Sequence, residues 1–176
     1  MKFLVSVCVV LVNLFGVMAV AAEGSTSHKS FASVVGAWHA QVSFDQPGPA
    51  GFVSLMTIGR DFTFTESHDP YSLNSPVGPI MRTIGLGTWV PAGKGEIVVS
   101  YETLFEGAPN NPAFNGVPLG VGTIVVKAGL VSKNQLEGRF ASEVRDPNGN
   151  ILSVTQGTIT AERITINRQL LEQLGD

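Results

Sequence analysis

Cysteine, clustered positive charge and recognisable catalytic motifs are all scarce in this 176-residue chain. Cys8 is the only cysteine, and charged residues make up 14% of the sequence. The net charge is −3 and no Lys/Arg cluster occurs, which argues against nucleic acid or an anionic membrane as the partner. The Gly-x-Ser-x-Gly elbow of acyl-transfer enzymes is missing too. No reaction can therefore be inferred from a motif.

The N-terminal segment predicts an export signal over residues 1–22. Lys2 precedes an apolar run from Phe3 to Val20, and the small residues of Ala19–Ala22 end it. The alternative is a membrane anchor, but the run is short for a span. We therefore expect a cleaved signal peptide, a secreted or periplasmic protein and no stable membrane insertion.

Removal of this signal defines the rest of the expected organisation. Cys8 leaves with it, so the exported chain has no disulfide, which is more typical of bacterial than of animal extracellular domains. Residues 23–33 are small and polar and predict a flexible leader. Residues 34–176 predict one β-barrel domain.

Alternation of apolar and polar residues predicts an all-β fold. The pattern indicates strands near residues 36–44, 51–58, 61–66, 84–90, 96–104, 120–127, 135–145 and 151–163. Such a meander removes its own edges by closing, so we expect a closed antiparallel up-and-down β-barrel of about eight strands. Apolar residues at helical spacing in 165–175 predict a short C-terminal helix packed on the outer wall.

Two features of the last strands lead to local predictions. The turn 146–150 reads Asp-Pro-Asn-Gly-Asn and predicts a tight hairpin. In strand 151–163, the apolar residues change face between Val154 and Ile159. A bulge at Gly157 would place both sets inside.

Two proline-containing loops, 67–79 and 105–118, are unusually long. Long ordered loops beside a barrel mouth can act as lids, and a plain surface loop is an equal alternative.

A Trp and an Arg at the two ends of the strand series indicate how the barrel closes. Trp38 lies near the start of the first strand and Arg163 at the end of the last. In a closed barrel these strands are neighbours, so the Trp would plug the narrow end and the guanidinium would stack on its ring.

These residues carry a resemblance to a known group of proteins. The segments concerned are Gly36–Trp38, Gly85–Trp89, Gly138–Phe140, Asp146–Gly149 and Gly157–Arg163. They resemble the calycin superfamily (lipocalins, fatty-acid-binding proteins and avidins), and in particular secreted bacterial lipocalin-like β-barrel proteins. The resemblance covers about residues 34–164 and implies a small apolar molecule inside the barrel.

The predicted lumen is rich in aromatic side chains. Our candidate ligand-binding residues are Phe62, Phe64, Trp89, Tyr101, Phe140 and Gln156. Tyr101 and Gln156 are the polar groups that could orient a ligand. The aromatic residues could line an open pocket or fill the lumen completely, because a barrel of eight strands has room for packed side chains or for one small ligand.

We expect neither a metal nor another cofactor. His28, His39 and His68 are far apart in different segments, which does not fit a zinc site. Asp146 with the two following asparagines superficially resembles a calcium loop, but a hairpin turn explains these residues better.

Tyr101 and Glu102 are the pair considered for catalysis. A buried Tyr hydroxyl can donate to a carbonyl or enolate, and a buried carboxylate can act as a base. Strand alternation, however, places Glu102 outside when Tyr101 points inside, so a structural role is favoured for both.

Three functions remain open. The leading hypothesis is a secreted lipocalin-like barrel that binds or carries a small apolar molecule. The alternatives are a cofactor-free cyclase or isomerase similar to the allene oxide cyclase barrel, and a solid barrel that acts through protein contacts. A cavity whose polar groups are all neutral would favour the carrier. A buried ionisable group in the cavity would favour the enzyme, and a completely filled lumen would favour the solid barrel that acts through protein contacts.

Overall fold

The computed structural model describes residues 33–46, 51–72, 78–93 and 95–173, and these form ten strands and one short helix. The strands are β1 (Gly36–Phe44), β2 (Phe52–Ile58), β3 (Thr63–His68), β4 (Tyr71–Ser72), β5 (Ile80–Arg82), β6 (Gly85–Gly93), β7 (Glu96–Gly107), β8 (Pro118–Ser132), β9 (Gln135–Arg145) and β10 (Ile151–Arg163). The helix α1 spans Arg168–Glu172. The signal segment 1–22 and leader residues 23–32 lie outside the described residues.

Eight of these strands close into an antiparallel barrel. Its order is β7-β6-β3-β2-β1-β10-β9-β8, and pairing of β8 with β7 closes the ring. The two short strands β4 and β5 extend one end of the wall, where β5 pairs with the last residues of β7. The predicted closed all-β barrel with a short C-terminal helix is confirmed.

Strand alternation sorts the side chains into lumen and surface as the sequence predicts. In β9, Leu136 and Phe140 are buried in the core, whereas Glu137 and Arg139 are exposed. In β7, Ile97 and Val99 are likewise buried. The apolar period of two in these strands therefore reports the inner face correctly.

The predicted bulge at Gly157 is wrong. Gly157 pairs in register with Phe140, and the irregularity lies instead between Ile151 and Ser153. Leu152 and Val154 are exposed, because only the second half of β10 turns its apolar residues to the core. The first half of β10 pairs with the end of β9, and its residues Ile151–Val154 are exposed.

The predicted packing of the C-terminal tail is also wrong for the residues that can be described. The helix is limited to Arg168–Glu172, and Ile166 and Leu170 are 79% and 58% exposed. A helix of five residues is too short to present a continuous apolar stripe to the wall. Within the described residues, no helix is long and apolar enough to cross a membrane.

Candidate functional site

The end of the barrel at which β1 begins and β10 finishes is the closed end. Trp38 pairs with Arg163 in the β1–β10 ladder and is fully buried. The Arg163 guanidinium carbon lies 4.1 Å from the centre of the Trp38 ring. This is the stacked pair predicted from the sequence, with a cation on the face of an indole.

Backbone carbonyls hold this pair in place. Arg163 donates to the carbonyl oxygens of Ser33, Val35 and Lys133, the last two at 2.8 and 3.1 Å. The Trp38 indole nitrogen donates to the Val34 carbonyl at 3.0 Å. Backbone carbonyls of the described residues therefore accept the hydrogen bonds that these two side chains donate.

The lumen behind this plug is almost full. Below it lies a void of about 20 Å³, lined by apolar side chains that include Met56, Phe64 and Leu136. One water molecule needs roughly 10–15 Å³, so this void is too small for an organic ligand. The closed half of the barrel is a packed core, as in the solid-barrel alternative.

The opposite half contains a larger cavity. It measures about 80 Å³ and is lined by Val42, Phe44, Phe52, Glu66, His68, Arg82, Tyr101, Thr103, Phe105, Ile124, Val126, Phe140, Ser142, Val144 and Ile159. Several of these side chains, such as Phe44 and Phe52, are partly exposed and lie towards the open end. The cavity exceeds the space of a single water and is smaller than the roughly 300 Å³ at the lower limit for drug-sized ligands.

Strand β3 brings two ionisable groups into this cavity. Its inner face carries Phe64, Glu66 and His68 at alternate positions. Phe64 faces the packed half, and the next two positions reach the open half. The side chains of His68 and Glu66 are only 4% and 3% exposed.

Glu66 and His68 form a buried pair. The His68 Nδ1 atom lies 2.7 Å from each of the two carboxylate oxygens of Glu66. His68 Nε2 is buried and has no hydrogen-bond partner among the described residues. In the tautomer in which Nδ1 donates to the carboxylate, the lone pair is on Nε2, and His68 is one of the residues that line the cavity.

Arg82 adds a partly buried cation to the same wall. Burial lowers the pKa of Arg82, and the nearby charge of Glu66 offsets part of that effect. Its guanidinium lies 5.2 Å from the centre of the Phe52 ring, which is itself 5.3 Å from the His68 ring. Arg82 Nε is buried and unpartnered in the part of the chain that the structure describes.

Tyr101 completes the ionisable set. Burial, together with the negative charge of Glu66, raises the pKa of Tyr101 well above its ordinary value of 10.0. The ring packs 5.0 Å from that of Phe64. Gly85 makes room for it, since a Cβ at that position would lie 2.6 Å from the Tyr101 ring. The phenol therefore stays protonated and remains available as a hydrogen-bond donor.

The structure places the residues predicted to bind a ligand in different parts of the barrel, and their role in binding stays a prediction. Tyr101 and Phe140 line the larger cavity, whereas Phe64 lines the small void and Trp89 is buried in the closed half. The Trp89 indole donates to the Gly59 carbonyl at 2.8 Å.

Two predicted lumen residues lie elsewhere. Phe62 is 46% exposed, because its φ of 65° breaks the alternation before β3 begins at Thr63, and its ring rests on Trp89. Gln156 is exposed, because the neighbouring Gly157 occupies the inward position of β10. The placement of these two side chains in the lumen is therefore wrong.

The sequence interpretation missed Glu66, His68 and Arg82. The predicted third strand ended at residue 66, so His68 was assigned to a loop, but β3 continues to His68. The signal was the spacing of Phe64, Glu66 and His68, which two-residue alternation places on one face. Arg82 lies on β5, between the predicted loop 67–79 and the predicted strand 84–90, and its position could not be predicted from periodicity.

The other candidate groups have local structural explanations. Glu102 and His39 are exposed on outward positions. Asp146 accepts hydrogen bonds from the backbone of Asn148 and from Asn150, which lowers the pKa of Asp146 and forms the predicted hairpin turn. Within the described residues, no group of three or more His, Cys, Asp or Glu could hold a metal ion.

The described parts of the two long loops lie at the open end. The loop after β7 is fixed by the buried side chain of Asn111, which donates to the Pro79 carbonyl at 2.9 Å and accepts from two backbone amides. The segment 67–79 contains β4 and leads into β5, and residues 73–77 lie outside the described part. A lid role for either loop stays a prediction.

Comparisons of the chain with protein-family models, with curated protein sequences and with solved structures found no match. The closed eight-stranded barrel is compatible with a calycin-like fold. Membership in the calycin superfamily stays a prediction, and the functional proposal rests on the geometry of the cavity.

Proposed function

We propose that this barrel binds a small, mainly apolar molecule with one hydrogen-bond acceptor in the cavity of its open half. One observation carries the proposal: a cavity of about 80 Å³ in which apolar side chains surround the unpartnered polar atoms of His68 and Arg82. Buried polar atoms without partners are rare in folded proteins, and the Arg82 Nε–H is a donor to which the ligand's acceptor can bind.

The chemistry of the lining limits the ligand class. The apolar wall includes Val42, Ile124 and Phe140, so most of the ligand should be hydrocarbon. Arg82 and Tyr101 are donors, and they suit a carbonyl, hydroxyl or other oxygen acceptor. The cavity volume favours a compact molecule over a drug-sized one.

The proposed place of action rests on the predicted export signal. The export signal predicted over residues 1–22 would deliver the barrel to the periplasm or the extracellular space. A carrier of small apolar molecules fits such a compartment, because these molecules are poorly soluble in water.

A titration with cyclopentanone, followed by NMR of the ¹⁵N-labelled protein, tests this proposal. We expect saturable shifts of amides near the cavity and weaker binding of cyclopentane, which has the same ring and lacks the acceptor. The variant Ile124→Phe fills the cavity from a partly buried position. It should abolish binding, whereas Val125→Ile on the exposed face should not.

Equal affinity for cyclopentanone in the wild-type protein and in a folded Ile124→Phe variant would contradict the proposed site.

A second candidate is a cofactor-free cyclase or isomerase. The specific observation in its favour is the buried Glu66–His68 pair at the cavity wall, since a purely apolar carrier needs no ionisable group there. The third hypothesis, a solid barrel that acts through protein contacts, would be favoured if cyclopentanone and similarly small molecules failed to bind.

A further inference from the structure

We propose that His68 is a general base, positioned by Glu66, that transfers a proton on a small carbonyl compound with an acidic C–H next to the carbonyl. This inference rests on the proposed binding function and adds to it a reaction class and a role for each residue. It follows from three features of the open half: a base with a free nitrogen, a carboxylate that orients it and a cation on the same wall.

The free nitrogen is the first feature. His68 Nδ1 is occupied by Glu66 at 2.7 Å, and Nε2 is the imidazole atom without a partner among the described residues. A carboxylate on one nitrogen fixes the tautomer and stabilises the imidazolium that forms when the other nitrogen takes a proton. Structural histidines normally use both nitrogens, so this arrangement points to a reacting group.

The carboxylate is held in a fixed geometry. Both Glu66 oxygens contact the same nitrogen, the side chain is 3% exposed, and the residue lies within a regular β2–β3 ladder opposite Met56. Its role is therefore positional, since it contacts the histidine and need not contact the substrate.

The cation is the third feature. Arg82 and His68 both pack against the ring of Phe52, at 5.2 and 5.3 Å respectively. A guanidinium in this position can balance the charge that develops on a carbonyl oxygen when the adjacent carbon loses its proton. Tyr101 lies on the same cavity wall and can donate a second hydrogen bond to that oxygen.

The proposed step is balanced without any co-reactant. His68 Nε2 takes the proton from the α-carbon, the C–H electron pair becomes the C=C bond of the enolate, and the carbonyl π pair moves onto oxygen. Return of this proton to the opposite face of the same carbon gives epimerisation, and replacement of the Nε2 proton by one from solvent before its return gives isotope exchange. Return to the γ-carbon of an unsaturated carbonyl compound gives migration of the double bond.

An acyl-transfer alternative is not supported. Ser54 lies directly opposite His68 in the β2–β3 ladder, and its hydroxyl is buried without a partner in the described part of the chain. Nevertheless, Ser54 is absent from the cavity lining among the described residues, so a substrate in the cavity would meet the imidazole and not the hydroxyl. Proton transfer needs no nucleophile.

The test follows exchange of the α-protons of cyclopentanone in D₂O by ¹H NMR, using the full chain. We expect the protein to exceed the same concentration of imidazole by about 100-fold, the lower limit of what a positioned base supplies. The variant His68→Gln should lose this acceleration over imidazole. The control variant His39→Gln changes an exposed histidine of β1 and should retain it.

The positioning role of Glu66 has a separate readout. Glu66→Gln keeps a hydrogen-bond acceptor for Nδ1 and removes the charge. We expect kcat for exchange to fall about tenfold or more while KM stays within about twofold, because Glu66 acts through the imidazole. A change in KM alone would contradict this role.

The controls separate this inference from the binding proposal. If cyclopentanone binds in the NMR titration and wild-type exchange is no faster than with imidazole, the base is refuted and the binding site stands. If it does not bind, both fail. Because His68→Gln could fail to fold, Ile124→Phe gives an independent check. This variant fills the cavity and leaves the Glu66–His68 pair intact. If it still catalysed exchange, the reaction would occur outside the cavity and the proposal would be overturned.

Discussion

The two ends of this barrel treat buried polar groups in opposite ways. At the closed end, Arg163 is fully engaged by backbone carbonyls, and the indole nitrogens of Trp38 and Trp89 each have an acceptor. At the open end, His68 Nε2 and Arg82 Nε lack partners among the described residues. The first arrangement is expected of a structural core, and the second of a site.

The closed half of the barrel is also packed more tightly than the open half. The void in the closed half is about 20 Å³ and apolar, and the cavity in the open half is about 80 Å³ and carries three ionisable side chains besides Tyr101. Natural proteins commonly place such poorly satisfied groups at functional sites and compensate with stability elsewhere. This difference is the one expected if the closed end stabilises the fold and the open end holds the proposed site.

Removal of the plug should have the largest effect. Trp38→Ala deletes a fully buried aromatic side chain and leaves Arg163 without its ring, so we expect a loss of about 3–5 kcal/mol in the free energy of unfolding. Denaturant unfolding measures it, with His39→Ala on the outer face as the matched control. A loss below about 1 kcal/mol would break the assignment of stability to the closed end.

Disruption of the Glu66–His68 pair should have the next largest effect on the free energy of unfolding. Glu66→Leu leaves the buried Nδ1 of His68 without its hydrogen-bond partner and should cost about 1–3 kcal/mol. The double variant Glu66→Leu, His68→Leu replaces both polar groups by apolar ones and should return to within about 1 kcal/mol of the wild-type protein. Chemical denaturation of the single and double variants completes the cycle. A double variant as unstable as the single one would show that the pair supports the fold.

The alkaline stability of the protein reports on Tyr101. Because burial raises the pKa of folded Tyr101 above the ordinary value of 10.0, the unfolded chain loses this proton first as the pH rises. Its contribution is fully present below pH 10 and decreases above it, by about 1.4 kcal/mol per pH unit for one proton. Unfolding free energies at several alkaline pH values should show this slope, and Tyr101→Phe should remove it. An unchanged slope would place the phenol in water.

Loss of a surface ion pair should have the smallest effect on the free energy of unfolding. Lys127 and Glu96 are 2.9 Å apart on the outer wall, with side chains 60% and 42% exposed. Lys127→Gln should change the unfolding free energy by less than about 1 kcal/mol, because water screens an exposed pair. Thermal melts at low and high salt measure this effect. A loss as large as that of Trp38→Ala would show that the outer wall, and not the plug, controls stability.

The sequence predicted the closed end far better than the open end. Trp38 and Arg163 lie at the two ends of regular strands, so period-two alternation and barrel closure together determine that they meet. The cavity depends instead on an extension of β3 to His68 and on β5, which follows a proline-containing segment. Periodicity carries no information there, and the pairing of β5 with β7 is a tertiary contact.

The same reasoning explains the individual errors. Phe62 satisfies alternation in the sequence, but its positive φ ends the strand register before Thr63. Gln156 was placed inside by a bulge assumed at Gly157, and the irregularity lies five residues earlier, near Leu152. A shift of one residue in register moves a side chain to the other face, so the prediction of a single lumen residue depends on every bulge in its strand.

The most direct test of the division between the two ends is a cyclopentanone titration followed in one ¹H–¹⁵N NMR spectrum of the wild-type protein. Both tryptophan indole signals, from Trp38 and Trp89, report on the closed half, and the amides of His68, Tyr101 and Thr103 report on the open half. We predict saturable shifts of these three amides and unchanged indole signals. The account would be contradicted if the indole signals shifted saturably with cyclopentanone and the signals of the three open-half amides did not change.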